Sequence, residues 1–404
     1  MCNVAAGKVL FFRVFALAMV IVMVADSWDQ PFNGTVVSSR RFAKALLDRG
    51  HSVRVLALEG DEHPLPGIEL YRLPALAIPG ISSLMRRMRT VLAVPVRRVI
   101  DEALRGADVL HVQFPFFVGG AAISRARHWQ VPVVASFHLQ AENILRNLYL
   151  PNRLFSPVVY GLFRRFVFAR ADLALAPSPF AARLIKSLGI ETPVVVLSNG
   201  VPEAQLQVYK HRAGMPASVR VLCVGRLARE KRYDVIAHAI AQTQIPERFQ
   251  ITFAGSGPTE KRVQALCTRL GVRARFVTPT DKELDELYSR ADLFLHAGES
   301  ELEGMSVMQA MAAGVPVLVS DSQMSAAREL TTVDESRFRF PDADDLATRI
   351  DAVCAQPDLV ARISEQNYRS VSQLAHAQAV DELESIYLKL IGAHSPGTFG
   401  QCQL

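Results

Sequence analysis

From Met19 onward, short apolar runs alternate with amphipathic stretches, and the alternation runs through the chain in two successive series. That rhythm is the mark of βα units and a parallel sheet buried on both faces. In the first series the expected strands are Met19–Ala25, Val53–Ala57, Val109–Gln113, Val133–Phe137, Leu173–Ala176 and Val194–Leu197. In the second they are Arg220–Val224, Gln250–Ala254, Ala274–Val277, Leu293–His296 and Val315–Ser320, with helices such as Tyr233–Gln242 and Ser306–Ala313 between them. Between the series, over Val201–Pro216, the apolar periodicity lapses. The fold class is therefore α/β, with two doubly wound, Rossmann-like domains whose strand ends face a shared cleft. A chain of 404 residues exceeds what one core usually fills, which agrees with two domains.

Residues 1–18 read as an N-terminal extension; 19–200 form the first domain and 201–375 the second. Residues 376–404 read as a helix returning to the first domain, followed by a tail. The apolar run Val9–Ala25 is short for a spanning helix and is broken by Arg13; a hydrophobic anchor is the minority reading. The five cysteines are scattered and form no CxxC, which reads as reduced packing residues and a cytoplasmic location.

Three segments carry chemistry. After the first strand of the second series comes Gly225-Arg226, followed by Lys231. A glycine lets backbone approach a ligand, and a fork cation beside a point cation suits a diphosphate, although a solvated basic loop has the same composition. Gly255-Ser256-Gly257 ends another strand before a helix, where N–H groups can face an anion. It is neither a GxGxxG nor a P-loop. The third segment, Glu299 to Val317, places Glu299, Glu301 and Glu303 ahead of Gly304 and an apolar helix, with Gln309 inside that helix. Three acids exceed what capping requires, and sugar hydroxyls left unpaired in a closed site are costly.

Together with the Asn33-Gly34 loop, His138 after a strand, Ser198-Asn199-Gly200-Val201 and the terminal Gly314-Val315-Pro316-Val317, this ordered set resembles the family 4 glycosyltransferases of the GT-B fold, from Met19 to Gly392. The resemblance implies a hexosyltransferase (EC 2.4.1.-) that takes a UDP- or GDP-hexose, retains anomeric configuration and needs no metal or other cofactor. It implies that Arg226 and Lys231 bind the diphosphate, Glu301 the sugar hydroxyls, Gln309 the ribose, and Asn33, Gly34, Gly225, Gly255 and Gly257 the donor. His138 is expected at the donor sugar. The family's second glutamate falls on Gln309, a departure that leaves an amide able to donate and accept. Its first falls on Glu301, with Glu303 as the close alternative. The texture of Phe137–Asn143 and Glu301–Met305 resembles the diacylglycerol-glucosylating branch.

Charge bears on the acceptor. Residues 1–200 carry a net +10 and the remainder −4. Ser82–Arg98, with five arginines, and the aromatic-basic stretch Leu154–Phe168 could each lie on an anionic bilayer, or simply pack on the sheet. A lipid acceptor at the inner membrane face, bound peripherally, is the leading expectation. A soluble sugar or polyol acceptor, and a non-catalytic protein that holds a nucleotide sugar, are the alternatives. The basic residues form no nucleic-acid reading motif.

Overall fold

The structure, a computed structural model, describes residues 18–26, 28, 33–58, 65–76, 92–148, 150–206, 209–210, 212 and 214–394. The readings placed on residues 1–17, on the tail 395–404 and on most of Ser82–Arg98 lie outside the described residues.

The first sheet runs β3 (Glu69–Leu73), β2 (Ser52–Leu58), β1 (Val20–Ala25), β4 (Val109–Val112), β5 (Val133–Ser136), β6 (Leu173–Ala176) and β7 (Val194–Val196) in space, all parallel. The second runs β10 (Ala274–Val277), β9 (Phe249–Ala254), β8 (Val219–Val224), β11 (Leu293–His296), β13 (Val317–Ser320) and β15 (Arg337–Phe338). Helices cover both faces, so the central strands bury every side chain: Ile21 through Ala25 are all inaccessible. Strand order reverses between β1 and β4 in one sheet and between β8 and β11 in the other. Ligands of such sheets bind outside the strand C-termini at these reversals. A separate pair, β12 (Ser300–Glu301) with β14 (Met324–Ser325), extends the second lobe at the cleft.

The edge strands β3 and β15 were not among the expected ones, and the strand expected from Val315 starts at Val317. The chain is still turning through Gly314, at φ +71°, and Pro316 supplies no N–H.

The helix His376–His394 packs on the first sheet, with Val380, Leu383 and Tyr387 in one core with Ile21, Met23 and Val55. Tyr387 Oη lies 2.6 Å from His111 Nδ1, and His111 Nε2 lies 2.7 Å from Ser136 Oγ, so a buried neutral network pins this helix to β4 and β5. Burial, with His138 nearby, holds the His111 imidazole down at about 3. The chain passes between lobes at two adjacent places. Val201 N–H donates to Leu374 O at 2.7 Å and His376 N–H to Val201 O at 2.9 Å. A Cβ on Gly200 would stand 2.6 Å from His376 Cα, which only glycine avoids.

Candidate active site

Both switch points open onto the same interlobe space. On the first lobe, Asn33 caps the helix Gly34–Asp48, its side-chain oxygen accepting from Thr35 N–H at 3.1 Å. The start of this helix meets the start of the helix Met305–Ala312: a Cβ on Gly34 would lie 3.8 Å from Met305 Sδ. The positive ends of the two helices therefore converge on one spot. His138 follows β5, half-buried, and burial holds its imidazole down at about 4.

On the second lobe, the segment after β8 carries Gly225 and Arg226 into the turn Arg229–Lys231, which rests against the first lobe's helix Ala141–Asn147. Arg226 Nη2 donates to the buried Glu230 at 2.6 Å. The Lys231 ammonium reaches over Gly225 and pairs with Glu301 Oε2. Burial alone would raise the Glu301 carboxyl; Lys231 and His296 outweigh it and hold the group down at about 2. His296 Nε2 lies 3.4 Å from the same oxygen.

Gly255 and Gly257 take a different place from the one expected. A Cβ on Gly255 would stand 2.2 Å from Gly225 O, and one on Gly257 2.4 Å from Leu227 O. What demands glycine there is the backbone of the cation loop, which Leu227 N–H and Thr259 N–H further anchor to Ser256 O and to Leu227 O.

Glu303 departs from the expected donor contact. It is 5% exposed and faces the interlobe connection, accepting from Ser198 Oγ at 2.6 Å, Asn199 N–H at 2.8 Å and the Asn199 side-chain amide. Both oxygens are thereby occupied. Burial pushes its carboxyl up to about 7 even against those donors. Gln309 is buried too, its Oε1 accepting from Tyr288 Oη at 3.2 Å. The structure thus brings Lys231, Glu301 and Gly225 together and sets Glu303 apart from them. It adds His296, the last residue of an expected strand, whose polar side chain at a strand C-terminus was the available signal.

The lobes also touch through Arg146–Glu299, Asn143–Ser300, Gln140 Nε2 to Met324 O at 3.0 Å and Ser178 Oγ to Leu302 O at 2.5 Å. Two Rossmann-like lobes meeting at their switch points define the GT-B architecture of sugar-transferring enzymes. Residues 32–205 match the description "Glycosyltransferase Family 4" and residues 216–370 "Glycosyl transferases group 1". A GDP-mannose-dependent alpha-mannosyltransferase of Mycobacterium tuberculosis is 28% identical over 80% of this chain and 86% of its own length. Alpha-monoglucosyldiacylglycerol synthase of Streptococcus pneumoniae is 23% identical over 74% of this chain and 70% of its own. The solved structure of Anabaena HepE in complex with UDP and glucose superposes with a TM-score of 0.70 at 18% identity, covering 92% of this chain and all of that one. The chain belongs to the family 4 glycosyltransferases and is a hexosyltransferase that draws on a nucleotide-sugar donor.

Proposed function

We propose that the protein moves a hexose, with retention, from a nucleoside diphosphate to the hydroxyl of a membrane lipid such as diacylglycerol. Residues 19–200 with the returning helix form the acceptor-side lobe in this reading, and 201–375 the donor-side lobe. The observation that carries it is the Lys231–Glu301 pair beside Gly225 at the end of the second lobe's first strand. A cation and a carboxylate that neutralise each other in the resting site lower the cost of burying both. Each is then available to a complementary half of the donor, Lys231 to the diphosphate and Glu301 to the sugar hydroxyls. Arg226 supplies the second cation, and the loop that carries it is braced by Gly255 and Gly257. Gln309 is assigned to the ribose, His138 to the sugar as a neutral imidazole, and Asn33-Gly34 to the phosphate through the helix start.

In the reaction, the bond from the anomeric carbon to the diphosphate oxygen breaks and the acceptor oxygen bonds on the same face. The acceptor proton passes to the departing diphosphate. Arg226, Lys231 and the helix termini stabilise the charge that develops there. No protein nucleophile is required.

The helix Asn152–Phe166 supports the lipid side. It turns Tyr160 and Phe163 inward and leaves Leu154 (69% exposed), Phe155, Val158, Leu162 and Phe166 facing out, with Arg164 and Arg165 exposed at its end. An apolar stripe ending in arginines matches the apolar and anionic layers of a bilayer surface, where each arginine contributes about 1 kcal/mol. Among the described residues no helix is long and apolar enough to cross a membrane.

The test is release of UDP from UDP-glucose, or of GDP from GDP-mannose, with diacylglycerol-bearing vesicles. Lys231→Ala is expected to slow release by about 100-fold; an unchanged rate defeats the diphosphate assignment. Transfer to soluble sugars alone, with no vesicle binding, defeats the lipid acceptor.

A further inference from the structure

His296 ends β11 directly beside the pair just described. Its side chain is 4% exposed, and neither ring nitrogen has a hydrogen-bond partner among the described residues. Nε2 lies 3.4 Å from Glu301 Oε2, within reach but not aligned as a hydrogen bond. Buried polar atoms are almost always satisfied, so an imidazole left unaligned against a functional carboxylate is poised to bond it when the carboxylate's other partner leaves.

The space for the ring is built in. A Cβ on residue 298 would stand 2.5 Å from His296 Cε1 and 2.9 Å from Nε2, so Gly298 leaves room that any other residue would take. Gly298 O is itself held by Ser320 Oγ at 2.6 Å. The ring is thus confined against Glu301 from a fixed backbone.

Lys231 cannot serve Glu301 and a diphosphate equally. Once it turns to the diphosphate, Glu301 loses the cation that offsets its desolvation, and a buried carboxylate without a donor is costly. The geometry points to His296 as the positioning residue that takes over Glu301 Oε2, donating its Nε2–H when Lys231 moves onto the donor, and so aims the carboxylate at the sugar. Burial depresses the imidazole's basicity, so it gives a hydrogen bond without a second positive charge to compete with Lys231. This inference rests on the roles proposed above for Lys231 and Glu301.

The experiment compares full-length wild type with His296→Leu, His296→Gln and Gly298→Ala. It measures binding of UDP and GDP, which carry no sugar, separately from turnover of UDP-glucose and GDP-mannose. A role through Glu301 leaves nucleotide affinity within about twofold in His296→Leu while kcat falls about tenfold or more. His296→Gln, whose amide N–H can reach the same oxygen, recovers most of the loss. Gly298→Ala, which displaces the ring but keeps it, reproduces the split should the leucine variant not fold. The proposal is overturned by wild-type turnover in His296→Leu, or by nucleotide binding and turnover falling in parallel with the melting temperature. Wild-type protein that binds neither UDP nor GDP overturns the donor reading instead, and this inference with it.

Discussion

The two lobes share a topology and differ in what they set at their strand ends. The second lobe puts charge there: Arg226 against Glu230, and Lys231 against Glu301. The first offers a helix start, a neutral imidazole at His138, and below it the uncharged His111–Ser136–Tyr387 chain. In the function proposed above, the same doubly wound frame then serves the two ends of a substrate pair. In that reading the donor end meets paired charges held in reserve, and the acceptor end meets neutral hydrogen-bonding groups. Within the second lobe the contrast recurs at two carboxylates separated by a single residue, Leu302. Glu301 sits near 2 because a cation outweighs its burial, and Glu303 near 7 because burial outweighs its neutral donors.

The lobe contrast breaks most visibly at Glu301. Glu301→Gln is expected to cut kcat by about 100-fold while nucleotide affinity holds or rises, because Lys231 is set free for the diphosphate. Steady-state kinetics with parallel UDP and GDP titrations check this; an affinity loss matching the kcat loss would remove the ionic half of the comparison.

The two carboxylates sharpen it next, through pH. Glu303 binds its proton more tightly folded than unfolded, so its contribution to folding is complete below about pH 4.5 and drains away as pH rises to about 7. Over that window the loss is about 3 kcal/mol. Glu301 runs the other way, contributing above about pH 4.5 and losing that contribution as pH falls toward 2. Glu303→Gln should flatten the fall in melting temperature between pH 5 and pH 8, read by thermal denaturation. A slope identical to wild type would mean that Glu303 is not the group responsible.

The smallest effect is on the neutral side. Tyr387→Phe removes the hydroxyl beside His111 Nδ1 and should cost about 1–3 kcal/mol in denaturant melts, with nucleotide affinity untouched. An equal loss of nucleotide binding would show that the first lobe's interior is coupled to the donor site.

Much of this was legible in the chain itself. The central strands are continuous apolar runs closed by polar loops, and a sheet covered on both faces requires that pattern. β3 escaped because Glu-Leu-Tyr-Arg-Leu on a half-exposed edge lacks it, and β15 because two residues carry no period. In the site, the family resemblance placed its first glutamate on Glu301, which the structure sets against Lys231. Spacing could not say where Glu303 would turn, since its partners Ser198 and Asn199 lie about a hundred residues upstream. Gly255 and Gly257 read as ligand-facing because a loop's composition does not reveal which backbone presses on it.

The side-by-side crossings at Val201 and Ala375 have a mechanical consequence. Two strands of chain strapped at one point act as a pivot with both leaves on a single pin, permitting a swing but resisting shear and twist. Glu303 grips Asn199 next to that pin. Arg146 and Glu299 bridge the lobes elsewhere, so a swing about the pin would have to part that contact while the bonds at Val201 stay made.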